Sequence, residues 1–117
     1  MDMESLVAVG AEGLLSEPQL RTMADQRGIT LHELCDAFAR EAAHKFLSGA
    51  LEWEKADAAM NHLYALAYGS GDFCLPEFAW SVFLAFDEGE YIHTGEDPSS
   101  DGEVRTRKLL QPLLPGV

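Results

Sequence analysis

The chain has 117 residues, a formal charge of −12 and a pI of about 4.5, with 47% hydrophobic and 9% aromatic residues. That size and apolar share support one globular domain with its own core and exclude a disordered chain. The negative charge argues against nucleic acid and against an anionic membrane surface as direct partners, and favours a basic protein or a cation.

Residues 3–15 are small and apolar, interrupted by Gly10 and Gly13, and are expected to form a short, frayed helix. Ser16-Glu-Pro-Gln19 is a helix start. Ser16 caps, Pro18 suits a first turn where its missing N–H costs nothing, and Gln19 can reach back to the cap. Leu20, Met23 and Ala24 follow on one face, and Gly28 ends the segment. Thr30-Leu-His-Glu33 is a capping box opening the clearest helix of the chain. Its apolar stripe is Leu31, Leu34, Cys35, Phe38, Ala42 and Phe46, its polar face carries Asp36, Arg40, Glu41 and Lys45, and Gly49 terminates it.

The spacing of Ala56, Ala59, Met60, Leu63, Leu66 and Ala67 predicts a helix over 52–68, broken by Gly69-Ser-Gly71. Pro76 then introduces Glu77-Phe-Ala-Trp-Ser-Val-Phe-Leu-Ala-Phe86, apolar on almost every side. A proline at the first turn and the near absence of β-branched residues favour helix over buried strand. Such a helix belongs at the centre of its domain, with Trp80 in the core. Residues 94–103 are rich in Gly, Pro, Ser and Asp and read as an exposed acidic loop. Helix resumes over 104–110, and Pro112 and Pro115 close it. The expectation is a single all-α domain over 1–117, a compact bundle of four to five helices around an apolar helix near 76–88.

Between Lys55 and Arg105 there is no lysine or arginine, while ten acidic residues fall in that stretch. At its middle stands Phe86-Asp-Glu-Gly-Glu-Tyr-Ile-His93. Asp87, Glu88 and Glu90 stand at a helix C-terminus, where the macrodipole prefers cations, so helix stability does not account for them. They form, with Glu96, Asp97, Tyr91 and Trp53, a candidate surface for a basic partner, the aromatics serving as anchors. A helix-start packing role for Trp53 is the alternative.

Three other constellations compete. Glu41-Ala-Ala-His44 and Glu90-Tyr-Ile-His93 are two Glu-x-x-His pairs, the spacing of di-iron bundles, with Glu52, Glu54 and Glu77 as spare carboxylates. Against a metal site, Glu41 lies on a polar helix face and Glu90 follows Gly89 at a helix end, so a solvated acidic surface is the simpler reading. No cofactor is expected. Cys74, after a Gly-rich turn and before a helix, could be a nucleophile with His44, His62 or His93 as base. Its neighbours Asp72 and Glu77 oppose a thiolate, and a half-buried structural thiol is preferred. Leu20 to Cys35 has a helix-turn-helix outline, but its second helix opens with acids that would face phosphates.

Cys35 and Cys74 form no CxxC and are expected to be reduced. Met1-Asp-Met-Glu-Ser lacks the positive region of a signal peptide, and no segment reaches the length of a membrane span. A cytoplasmic protein is the expectation.

Lys45-Phe-Leu-Ser-Gly49, Ala56-Asp57, Met60-Asn-His-Leu63, Leu75-Pro76, Val82 through His93 and Arg105-Thr-Arg107 together resemble small, acidic, helical bacterial proteins of uncharacterised function. The resemblance covers the chain from residue 45 onward. In type, being short, acidic and helical, the chain is also similar to toxin-immunity proteins. That likeness carries no diagnostic motif and transfers no site residues. It implies a non-enzymatic module whose rigid acidic surface blocks a basic partner. A small metal-binding protein and a helix-turn-helix-type regulator are the alternatives.

Overall fold

The computed structural model describes residues 1–70, 73–90 and 101–114. These form six α-helices and a closing 3₁₀ turn, with no strand among the described residues: α1 Met3–Ala11, α2 Glu17–Arg27, α3 Leu31–Leu47, α4 Trp53–Ser70, α5 Glu77–Gly89, α6 Asp101–Leu110 and the turn Gln111–Leu113. The all-α bundle is as expected, with six helices in place of four or five. The short helix expected over 3–15 is α1, Met3–Ala11. Asp2 accepts from the Ser5 N–H at 2.8 Å, and Met3, Leu6 and Val7 are buried. Gly10 lets α1 lie close on its neighbours, since a methyl group there would press on the Phe38 ring at 3.0 Å. Helix α1 stops at Ala11, the chain turns at Gly13 with φ 74°, and Leu15 returns to the core.

The caps of α2 and α3 form as the sequence predicts. Ser16 Oγ accepts from Gln19 N–H at 3.3 Å, and Thr30 and Glu33 exchange both capping-box bonds at 3.0 Å. Gly28 ends α2 in the left-handed region, φ 68°. Helix α3 touches α1, α2, α4 and α5 and buries Leu34, Cys35, Phe38, Ala39, Ala42, Ala43 and Phe46. Helix α4 buries Ala56, Ala59, Met60, Leu63 and Ala67, and runs through Gly69 to Ser70 where a break was expected.

Helix α5 packs on α3, α4 and α6, and its buried side is Ala79, Val82, Phe83, Ala85, Phe86 and Gly89. The expectation of burial all round fails. Trp80 is 36% exposed and Leu84 43%: Trp80 is only flanked by Tyr64 and Tyr68 of α4, and Leu84 lines an open groove with α6. Phe86 meets Phe46 of α3 edge to face at 5.5 Å, a contact worth about 0.5–1.5 kcal/mol beyond area burial. The Arg107 guanidinium lies 4.8 Å over Phe46 and donates to Leu47 O at 3.0 Å, tying α6 to the C-terminus of α3.

Helix α6 begins at Asp101, so the last three residues of the expected 94–103 loop are helical. Residues 94–100 lie outside the described residues. The early start brings Gly102 into a close crossing. A methyl group at Gly89 would meet Gly102 O at 2.6 Å and press on the Thr106 hydroxyl, so the glycine pair lets the backbones of α5 and α6 touch. Thr106 is fully buried at this crossing. No helix among the described residues is long and apolar enough to cross a membrane.

Candidate functional site

Helices α4 and α5 each line their shared seam with one partly exposed stripe. On α4 the stripe is Asp57, Asn61, Tyr64 and Tyr68, at helical spacings of four, three and four. On α5 it is Trp80, Phe83 and Asp87, followed by Glu90 just past the helix. Carboxylates meet at one end of the seam and aromatic rings at the other.

At the acidic end Asn61 is the joint. Its Nδ2 donates to Asp57 Oδ2 at 3.3 Å and to Glu90 Oε2 at 3.2 Å. Asp57 is half-buried, and its Oδ1 is shut from solvent with no hydrogen-bond partner. A shielded oxygen with no donor beside it disfavours the ionised form. Burial pushes the Asp57 carboxyl up to about 8. The Glu90 charge and a hydrogen bond shared with Glu90 add to the rise, Asp87 adds less, and Asn61 opposes it. Asp87 is also raised, by partial burial and then by Glu90 and Glu88.

The cation-free stretch of sequence is not cation-free in space. Asp87 and Glu88 line an open groove of about 540 Å³ together with Ser81, Leu84 and, from α6, Arg105 and Leu109. Of the carboxylates expected to form the docking surface, Asp87 and Glu88 are therefore half-buried beside Arg105, and Glu90 is exposed on the α4 side. Tyr91, Glu96 and Asp97 lie outside the described residues. Trp53 is half-buried, and its indole N–H donates to Thr106 Oγ1 at 2.9 Å. It is the packing residue of the two readings, not a free anchor.

The aromatic end was not foreseen. Tyr64 stacks on Phe83 with centroids 4.4 Å apart and planes 3° from parallel. Trp80 lies 5.5 Å from Phe83, 6.1 Å from Tyr64 and 5.9 Å from Tyr68, and Tyr64 lies 4.9 Å from Tyr68. Tyr64, Tyr68 and Trp80 are 36%, 45% and 36% exposed, so the plate faces outward over a buried Phe83. The signal in the sequence was Tyr64 and Tyr68 at i, i+4 on the helix preceding Trp80.

The Glu-x-x-His pairs do not assemble among the described residues. Glu41 faces Lys45 at 3.9 Å and lines a groove of charged residues with Arg27, Arg40 and exposed His44. Glu90 is held by Asn61, and His93 lies outside the described residues. No group of three or more His, Cys, Asp or Glu among the described residues could hold a metal ion.

Both cysteines are free. Cys74 is exposed rather than half-buried, and its Sγ is 3.9 Å from Nε2 of His32, none of the three histidines named as its candidate base. Buried Cys35 is pushed up to about 12, by desolvation first and then by Asp36 and Cys74. The second helix of the helix-turn-helix outline is α3, enclosed by α1, α2, α4 and α5.

Comparison with family models, with curated proteins and with solved structures gives no match to this chain.

Proposed function

We propose that this protein is a non-enzymatic binding module that docks a basic protein partner, in the manner of an inhibitor or immunity protein. One observation carries the reading. Asp87 and Glu90 stand together at the C-terminal end of α5, beside the half-buried Asp57 that keeps its proton, with Glu90 held by Asn61 at the edge of the bundle. Like charges held together cost stability, and the macrodipole at the end of α5 adds to that cost. A cationic partner reverses the sign of both effects. It also gains a steered encounter with a protein of net charge −12. The helices that mount the edge are packed against the core, so little ordering is needed on binding.

The test is association kinetics with the partner, identified first by co-purification with the product of the adjacent gene. Asp87→Lys with Glu90→Lys is expected to slow association at least tenfold at low salt and to flatten its salt dependence. An association rate and salt slope equal to wild type would overturn the reading.

A further inference from the structure

Resting on that reading, we infer that the docking surface extends along the α4–α5 seam to the Tyr64–Tyr68–Trp80 plate, and that its occupant is a cationic amphipathic helix of a basic protein. The plate is a contiguous exposed aromatic surface, and surfaces of this kind mark interaction sites. It continues without a break into the acids. Asn61 is one turn before Tyr64 on α4, and Asp57 one turn before Asn61. Seven residues of helix separate Tyr64 from Asp57, about 10 Å along the axis. A partner helix laid on the seam meets rings with one residue and, within two turns, the acidic end where Asn61 holds the exposed Glu90.

Charge chooses the occupant. A second copy would bring another −12 onto the same seam. Anionic lipid headgroups would meet Asp87 and Glu90 beyond the plate. A helix carrying arginine or lysine suits both ends, since its cations pair with the acids and also lie favourably over Tyr and Trp faces. Where this chain's own arginines lie on rings, they use Phe78 and Phe46, 4.5 and 4.8 Å away, and none among the described residues lies over the plate.

The experiment uses the full chain and two labelled helical peptides, one with leucine and arginine on one face, the other with glutamate replacing arginine. Binding is read by fluorescence anisotropy. The arginine peptide is expected to bind and the glutamate peptide not. Tyr68→Ser with Trp80→Ser, both surface changes whose fold is checked by circular dichroism, is expected to weaken binding at least tenfold. Asp87→Asn with Glu90→Gln is expected to weaken it and reduce its salt dependence. Loss in the acid variant with full binding in the plate variant would overturn this inference and leave the acidic docking module standing. Unchanged binding in both variants would overturn both. Self-association by sedimentation that disappears in the plate variant, or plate-dependent binding to phosphatidylserine vesicles without binding of the arginine peptide, would also overturn it.

Discussion

The indole N–H of Trp53 donates to the hydroxyl of Thr106 at 2.9 Å, and that hydroxyl donates in turn to Ala85 O at 2.9 Å. The two bonds join the first residue of α4, the middle of α6 and the backbone of α5 at a fully buried side chain. One oxygen thus serves as both acceptor and donor where water does not reach. Trp53→Phe keeps an aromatic ring but removes the indole N–H that donates to Thr106, with some packing, and is expected to cost about 1–3 kcal/mol. Thr106→Val removes the shared oxygen and leaves both partners unsatisfied, at about 2–3 kcal/mol. Urea denaturation of both variants and the double mutant checks this. Strict additivity of the two losses would show that the bonds do not act as a unit.

Asp36 caps a helix that is not its own. Pro76 at the start of α5 offers no side-chain cap, and Asp36 Oδ1 from α3 accepts the Ala79 N–H at 3.0 Å instead. A carboxylate there also faces the positive end of the α5 dipole. Asp36→Ala is expected to lower stability by about 1 kcal/mol, and Asp36→Asn by less because it keeps the acceptor. Thermal unfolding at low and high salt separates the parts: the Ala–Asn difference should persist in salt, while the Asp–Asn difference shrinks.

What was legible in the sequence is what is local. Ser16 with Gln19 and Thr30 with Glu33 lie three residues apart, Gly28 follows its helix directly, and the α3 stripe repeats every three or four residues. The apolar run 77–86 fixed a helix but not its orientation, because residues on both sides are hydrophobic. Trp80 lies at the rim of the α4–α5 contact, against Tyr64 and Tyr68, because the side of α5 that carries Ala79, Val82 and Phe86 takes the core. Asn61 meets Glu90 across 29 residues, Asp36 meets Ala79 across 43 and Trp53 meets Thr106 across 53, separations at which periodicity is silent. Arg105 beside Asp87 and Glu88 is the same lesson for charge.

The two thiols should separate cleanly by reactivity. Cys35 is 1% exposed and burial holds its thiol protonated, whereas Cys74 is exposed. A disulfide reagent such as Ellman's is expected to titrate one thiol in the native protein and the second only in denaturant. Cys74→Ser is expected to abolish the native reaction with little loss of stability. Two fast thiols in the folded protein would place Cys35 nearer the surface than the structure has it.

Asp57 sets a pH dependence of known sign. Its folded-state carboxyl titrates near 8, against 3.8 for the unexceptional group it becomes on unfolding. Between those values the folded protein keeps a proton that the unfolded chain has lost, so stability falls as pH rises from about 4 towards 8. Asp57→Asn replaces the protonated acid with a neutral group that can still donate to Glu90. The variant is expected to match wild type near pH 5 and to exceed it near pH 8.5. Discounted for the solvent that reaches this half-buried site, the gain is about 1 kcal/mol, or ~4–6 °C in Tm. Melting curves across that range decide it: a wild-type pH slope retained in Asp57→Asn would assign the dependence to other groups.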